Sequence, residues 1–259
     1  MGDMVEIHVL ASGSNGNCTL IRTNNRYILI DVGISYSRIK SELFIRGIDI
    51  KKIDTVLITH EHSDHVCGLK VFLNNAKIEN IFLTKGTHKE ILSLIGNIKE
   101  IGYVKADEPF FIDDLCIHPL MISHDAKEPI GYMLTEENKK VVYMTDTGYI
   151  PKSYIELLKD ADMYILESNH SPLMLMNSNR SFHLKRRILG EKGHMSNDDA
   201  CYMMNSFVEN KKTIWVVAHI SEECNTILEI EKEMVKSLKK PELIEVYFAT
   251  QEGLGGIKI

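Results

Sequence analysis

Short apolar runs rich in β-branched residues alternate along this chain with segments whose apolar residues recur at helical spacing. The runs predict strands at residues 5–10, 19–23, 27–31, 55–59, 81–84, 115–122, 131–135, 140–145, 163–167, 213–218 and 243–248. The helical spacing predicts helices at residues 36–46, 66–73, 87–94, 151–159, 183–189, 197–208 and 223–238. Strands cluster in both halves of the chain with helices between them. This order favours an α/β sandwich of two mixed sheets flanked by helices over a doubly wound parallel sheet.

Polar residues capable of chemistry follow the ends of several predicted strands. Loops at strand ends are where a rigid scaffold presents functional side chains. The residues in question are Asp31, His60, His124, Asp146, Glu167 and His219. Because so many such residues arrive at strand ends, we expect them to converge on one site.

Length and composition suit a globular protein with a sizeable core. The chain has 259 residues, 44% of them hydrophobic, which is enough for one large α/β domain or two small ones, and we predict a single domain over residues 1–259. The formal net charge of −6 argues against a protein that coats nucleic acid through its overall field. Bound divalent cations would nevertheless make one cleft locally positive.

The cysteines and the N-terminus indicate a cytoplasmic protein. The 5 cysteines lie far apart without a Cys-x-x-Cys pair, as expected of reduced thiols. The first residues carry an acidic Asp3 and no basic region before the apolar run, so we expect no secretory signal. No stretch approaches the roughly 18 uninterrupted apolar residues of a membrane span, and we expect no membrane partner. The sequence does not indicate an oligomeric state.

The densest candidate site is the run His60-Glu61-His62-Ser63-Asp64-His65, directly after a hydrophobic strand. In an extended segment His60 and His62 point to the same side, and a bend then turns Asp64 and His65 toward a second point. A single tetrahedral ion would not use four ligands packed this tightly plus remote ones, so the run predicts two adjacent metal ions. Imidazoles suit zinc, and a carboxylate adds tolerance for manganese. Solvated surface histidines are the alternative, which leaves Asp64 and His65 unexplained.

The segment LITHEHSDHVCGL resembles the His-x-His-x-Asp-His signature of the metallo-β-lactamase superfamily, and ILIDVG, ISHDA, YMTDTG and VVAHIS resemble its further elements in order. The resemblance implies a four-layer αββα sandwich. It also implies a first ion held by His60, His62 and His124. It implies a second held by Asp64, His65 and His219, with Asp146 between the two ions and Asp31 in support rather than as a ligand.

Each of these elements also has a plainer interpretation. Asp31 and Asp146 stand in sequences common in turns. The segment after His219 could end a strand and cap a helix through Ser221, and that role is compatible with metal binding by His219.

Two further segments resemble ribonuclease Z-type phosphodiesterases. KGHMS is similar to their Gly-His-Ser/Thr loop, and ILESNH lies where they carry a glutamate. The resemblance implies that His194 assists proton transfer and that Glu167 pairs with it. The alternative is that Ser196 and Asp199 form a capping box and His194 is a solvated loop residue.

The segments LASGSNGNCTLI, LESNH, HLKRRILGEKGHMSN and AHISEECN resemble motifs of a smaller group, the YycJ (WalJ)-like metallohydrolases of low-GC Gram-positive bacteria. That resemblance implies a DNA exonuclease acting in the 5′ to 3′ direction. Segment 171–182 has no assigned role. The basic stretch that follows it is either a solvated helix face or a phosphate contact. Candidate substrate contacts are His183, Lys185, Arg187 and Ser196.

Three functional hypotheses follow. The first is a dinuclear phosphodiesterase, with zinc, manganese or iron(II), that uses a metal-bridged hydroxide oriented by Asp64, while His194 protonates the leaving oxygen. The second keeps the metals and hydrolyses a small ester, thioester or lactone. The third is a non-catalytic metal-binding regulator, which is disfavoured because every expected ligand position is filled.

Overall fold

The apolar runs form the strands of two mixed sheets in the computed structural model, which describes residues 5–76, 78, 80–95 and 101–259. The strands are β1 Glu6–Ala11, β2 Cys18–Arg22, β3 Tyr27–Ile30, β4 Thr55–Leu57, β5 Asn80–Leu83, β6 Ile101–Tyr103, β7 Phe110–Ile112, β8 Leu115–Met121, β9 Ile130–Glu136, β10 Lys139–Met144, β11 Met163–Glu167, β12 Thr213–Ala218, β13 Ile244–Phe248 and β14 Leu254–Lys258. The N-terminal expectation concerning Asp3 lies outside the described residues.

The helices are α1 Tyr36–Ile45, α2 Ser63–Val66, α3 Leu69–Asn75, α4 Lys85–Ile95, α5 Ile155–Leu158, α6 Pro172–Asn177, α7 Phe182–Ile188, α8 Asn197–Phe207 and α9 Ile227–Ser237. Short 3-10 turns occupy Ile50–Lys52, Lys152–Tyr154 and Pro241–Leu243. None of the helices in the described part of the chain has the length and apolar character needed to cross a membrane.

The chain divides into two compact units. Unit 1 draws its described residues from Met1–Phe110, Ala126–Ile130 and Thr250–Ile259, and unit 2 consists of Phe111–Asp125 and Gly131–Ala249. One sheet has the strand order β14-β1-β2-β3-β4-β5-β6 and the other the order β13-β12-β11-β10-β9-β8-β7. The predicted α/β class with two mixed sheets and helices is confirmed. The single domain over residues 1–259 stays a prediction.

Parallel pairing brings the candidate site residues of each unit to one sheet edge. In unit 1, β3 and β4 run parallel with Ile30 opposite Leu57, so Asp31 and the residues after β4 emerge together. In unit 2, β10, β11 and β12 run parallel, with Met144 opposite Leu166 and Leu166 opposite Val217. The ends of these three strands therefore deliver the side chains that follow them to a common place.

Every predicted strand is present with shifts of a few residues, but three strands and one α-helix of the described residues were not predicted. β6 and β7 are only three residues long, too short for a periodic signal. β14, with sequence LGGIK, contains two glycines that disfavour strands, and it forms because it pairs antiparallel with β1. α6 lies in segment 171–182, which the sequence left without a role.

Three predicted helices differ in their bounds because of local contacts. The helix predicted at residues 66–73 is two helices, α2 and α3, separated at Gly68, where a Cβ would lie 1.9 Å from Ile34 O. The helix predicted at residues 151–159 begins as a 3-10 turn and continues as α5. The helix predicted from residue 223 starts as α9 after Thr226, whose side chain accepts a hydrogen bond from Glu229 N. Ser221 Oγ instead accepts from Cys224 N in the preceding turn.

Candidate metal centre

The described residues of unit 1 carry one group of metal-binding side chains, which we call the HxHxDH half-site: His60, His62, Asp64 and His65. His60 Nε2 lies 3.1 Å from His62 Nδ1, and the rings of His60 and His65 are 4.1 Å apart. Asp64 Oδ2 lies 3.6 Å from His65 Nε2. His60 and His65 are fully buried. Closely spaced nitrogen and oxygen donors of this kind suit a divalent ion such as zinc or manganese.

Asp31 orients the imidazole of His65 in this half-site. Its carboxylate is fully buried and accepts hydrogen bonds from Thr59 N and Thr59 Oγ1, each 2.8 Å, and it lies 2.8 Å from His65 Nδ1. Burial raises the pKa of Asp31, and the neighbouring imidazole of His65 opposes that rise. A carboxylate on Nδ1 keeps the proton there and turns Nε2 of His65 toward Asp64, as in the supporting contacts of metal-bound histidines. Thr59 Oγ1 also lies 3.0 Å from His60 Nδ1.

The glycine-rich opening of the chain holds the backbone of the half-site. Asn17 N donates to Asp64 O at 2.7 Å, and Gly33 N donates to Asn17 O at 2.8 Å. Asn17 Nδ2 donates to Gly13 O and lies 3.1 Å from His65 Nε2. The resemblance of this opening to a family motif is visible in the sequence, but no role was predicted for Asn17, Gly33 or Thr59. Their function depends on tertiary contacts that no local spacing reveals.

Unit 2 carries a second group, which we call the carboxylate–histidine half-site: His124, Asp146, Glu167, His194 and His219. Asp146 Oδ1 lies 3.3 Å from His219 Nε2, 3.8 Å from His194 Nδ1 and 3.9 Å from His124 Nε2. The ring of His194 stacks on that of His219, with centroids 5.1 Å apart. Four of the six strand-end residues, His124, Asp146, Glu167 and His219, therefore lie together in this unit, while Asp31 and His60 belong to unit 1.

Glu167 anchors His194 within this half-site. Its side chain is fully buried at the end of β11, accepts a hydrogen bond from Thr147 N at 2.5 Å, and places Oε2 3.1 Å from His194 Nδ1. Burial acts to raise the pKa of Glu167, but the charge and hydrogen bond of His194 outweigh it and hold the pKa below its ordinary value. Glu167, His194 and His219 also offer ligand atoms within 4.8 Å of one another, so this trio is itself capable of binding a metal ion.

Two residues of the carboxylate–histidine half-site, and Asp31 beside the HxHxDH half-site, leave their strands in the left-handed backbone conformation. Asp31 has φ 61°, Asp146 has φ 57° and His219 has φ 51°. Aspartate and histidine adopt this region more readily than most other non-glycine residues, and each instance costs on the order of 1–3 kcal/mol. Asn169 Nδ2 donates to His219 O at 2.8 Å and supports the turn at His219. Strain of this kind persists where surrounding contacts fix the backbone, and it is typical of functional sites.

Comparison with known proteins identifies the family. The beta-lactamase superfamily domain matches residues 26–220, which is most of the chain. The chain belongs to the metallo-β-lactamase superfamily. Within it, the chain is 32% identical to the exodeoxyribonuclease YycJ of Bacillus anthracis over 82% of this chain and 81% of that protein. It is 30% identical to the exodeoxyribonuclease WalJ of Streptococcus pneumoniae over 91% of this chain and 88% of that protein. The predicted membership of a YycJ/WalJ-like group of hydrolases is confirmed.

Solved structures of the superfamily share the fold. YhfI from Bacillus subtilis superimposes with a TM-score of 0.76 at 17% identity, covering 100% of both chains. The short form of human tRNase Z superimposes with a TM-score of 0.60 at 16% identity, covering 84% of this chain and 93% of that chain. At this identity the likeness establishes the metallo-β-lactamase fold. Superfamily membership implies divalent metal ions, and the histidine and aspartate donors of both half-sites fit them.

Three of the four candidate substrate contacts make side-chain hydrogen bonds to other groups of the protein. Lys185 Nζ donates to Met176 O at 2.6 Å and to Ser178 O at 2.8 Å. Arg187 pairs with Asp125 through two hydrogen bonds of 2.5 and 2.9 Å. Ser196 is buried and caps α8, accepting a hydrogen bond from Asp199 N, as the capping interpretation predicts. His183 is exposed. The lysine and the guanidinium thus bind protein groups, and a phosphate role for either stays a prediction.

Replacing Asp31 with asparagine is expected to weaken metal affinity by about 10- to 100-fold with little loss of folded protein. All groups that reach Asp31 donate hydrogen bonds, and an amide nitrogen cannot accept one, so the support of His65 fails. Competition with a chromophoric chelator measures the affinity. The matched control is Asp107→Asn, an exposed aspartate that also has a left-handed backbone, with φ 66°. Equal affinities of the two variants would show that Asp31 does not tune the site.

Proposed function

We propose that this chain is a divalent-metal-dependent phosphodiesterase that degrades DNA from the 5′ end in the cytoplasm. The observation that carries the proposal is the similarity to proteins named exodeoxyribonucleases over most of both chains. The Glu167–His194 pair beside Asp146 supports it, because hydrolysis of a phosphodiester produces an alkoxide that needs a proton.

The proposed ligands follow the pattern of the superfamily. His60, His62 and His124 would hold one ion. Asp64, His65 and His219 would hold the other, with Asp146 shared between them. When bound, the ions supply the activated water and the positive charge of metal-assisted phosphoryl hydrolysis. Zinc, manganese and iron(II) all suit this donor set, and metal analysis of protein purified without chelator identifies the ion.

The side chains of the chain itself then have distinct tasks. Asp64, partly exposed next to the buried His65, orients the attacking water. His194 delivers a proton to the leaving oxygen, and Glu167 fixes its ring by holding Nδ1, which leaves Nε2 as the donating atom. Asp31 and Thr59 keep His65 and His60 in place.

The test is a comparison of substrates under one set of conditions. Single- and double-stranded DNA labelled at either end, matched RNA, and a panel of esters, thioesters and lactones are incubated with the metal-loaded protein. We expect DNA to be shortened from the 5′ end, the reaction to stop with EDTA and to resume with added metal. Hydrolysis of an ester or lactone with all nucleic acid left intact would replace the proposal with the small-molecule alternative, and no hydrolysis of any substrate would favour the regulator.

A variant pair excludes contaminating nucleases. Asp146→Asn removes the carboxylate of the carboxylate–histidine half-site while keeping a residue type that tolerates the left-handed backbone. Asp113→Asn makes the same change at an exposed residue of unit 2 with φ 51°. The proposal requires the first preparation to lose DNA hydrolysis and the second to keep it.

A further inference from the structure

The helix α7 has two distinct faces. Leu184 and Ile188 lie one turn apart and pack in a small cluster with Leu175 and Cys224. Phe182 and Arg186 are also one turn apart, on the opposite side of the helix, and Phe182 is 77% exposed. An exposed phenylalanine with a cation one turn away therefore points away from the core of unit 2.

The basic residues around α7 divide into paired and unpaired cations. Residues 180–192 contain five basic side chains and one acidic side chain, Glu191, in a chain whose formal charge is −6. Those with protein partners are Arg180, bound to Glu223, Lys185, bound to backbone carbonyls, and Arg187, bound to Asp125. Within the described residues, the exposed side chains of Arg186 and Lys192 make no hydrogen bond or ion pair. The cations available to a ligand are thus Arg186 and Lys192.

α7 is fixed directly to the carboxylate–histidine half-site. His194 N donates to Ile188 O at 3.0 Å, so the loop that carries the proposed proton donor folds onto the end of α7. A Cβ on Gly193 would lie 2.1 Å from Ile188 O, which shows how closely the loop packs. Arg187 binds Asp125, the residue next to His124. The outward face of α7 is therefore held in a constant position relative to His194 within unit 2.

We propose that the outward face of α7 binds an unpaired nucleic acid strand next to the bond that is cleaved. Phe182 stacks on a base, and Arg186 and Lys192 contact neighbouring phosphates. An aromatic platform beside cations is the combination that single-strand-binding proteins use, because every base has a face to stack and every linkage has a charge. An apolar partner fits less well, since it would bury Arg186 without a counter-charge. This inference rests on the proposed function.

The test separates binding of a strand from the chemistry. Phe182→Leu keeps the apolar bulk without an aromatic face, and Arg186→Gln removes the charge. For a single-stranded 20-nucleotide substrate we expect the first variant to raise KM about tenfold, with kcat changed less than about twofold. We expect Arg186→Gln to reduce the slope of log KM against log salt by about 0.7. Hydrolysis of bis(p-nitrophenyl) phosphate, which has neither a nucleobase to stack nor flanking phosphates, should be unchanged, and Phe182→Trp should keep the KM of the parent protein.

The matched control lies on α1 in unit 1. Lys40 and Phe44 are both exposed and are one turn apart, with Phe44 82% exposed, so Lys40→Gln and Phe44→Leu make the same chemical changes elsewhere. The α7 variants must differ from these two in KM. Unchanged KM in both α7 variants of an active enzyme overturns the inference and leaves the proposed function standing.

If the protein cleaves no phosphodiester, this result contradicts the proposed function instead. In that case fluorescence anisotropy of a labelled 20-nucleotide strand, measured with the native protein and the α7 variants, decides the inference alone. Weaker binding by Phe182→Leu supports it, and equal binding by the native protein and both variants overturns it.

Discussion

Replacing His194 with alanine is expected to slow the hydrolysis of DNA by about 10²- to 10⁴-fold, the usual contribution of a general acid. The metal content should stay unchanged. His194 lies between Glu167, which holds its Nδ1 at 3.1 Å, and the ring of His219, on which it stacks. Alanine keeps the side chains of Glu167 and His219 and removes the imidazole that is proposed to carry the proton.

The decisive measurement compares two leaving groups. Bis(p-nitrophenyl) phosphate releases a phenolate that needs little help from a proton, whereas DNA releases an alkoxide that needs much. The variant should therefore lose far less activity on the first substrate than on the second. His88→Ala is the control, since His88 lies in unit 1 and its Nδ1 lies 2.8 Å from the hydroxyl of Tyr103. Equal losses on both substrates would contradict the role in proton transfer.

Metal analysis of the same variant tests a competing role. Glu167, His194 and His219 form a trio that is capable of binding a metal ion. If His194→Ala loses an equivalent of metal together with its activity, His194 is a ligand and the donor of the proton must be sought elsewhere.

Replacing Gly33 with alanine is expected to have the largest effect on stability, a loss of about 3 kcal/mol or more in the free energy of unfolding. A Cβ at Gly33 would lie 1.7 Å from Asp64 O and 2.7 Å from Asn17 N, and both are backbone atoms that cannot rotate away. The loop that carries Asp64 and His65 would have to move, so metal affinity should fall together with stability.

Urea denaturation and metal titration measure both consequences. Gly255→Ala is the matched control, because a Cβ at that glycine of β14 meets nothing within 4 Å. The control should stay within about 0.5 kcal/mol of the parent protein. A Gly33→Ala protein with the stability and metal affinity of the control would show that the close approach at Asp64 is not required.

Much of the candidate site is predictable because it is local. The run from His60 to His65 places four donors within six residues, and apolar strands precede Asp31, His124, Asp146 and His219. Hydrophobic patterning fixes where strands end, and the residue after a strand end follows directly from the sequence. The position of β14 was not predictable in the same way, since its sequence LGGIK disfavours a strand and it pairs with β1, which lies more than 240 residues away in the chain.

The contacts between distant segments could not be predicted from the sequence. The sequence by itself determined the superfamily pattern, the two-sheet α/β class and the set of donor side chains. Only the tertiary structure decided that Asn17 and Gly33 hold the backbone of Asp64, that Thr59 joins Asp31 to His60, and that Lys185 and Arg187 bind protein groups while Arg186 stays available. The reason is physical. A donor's identity is a property of one residue, whereas its orientation and its remaining free hydrogen-bonding capacity depend on which partners the fold brings to it.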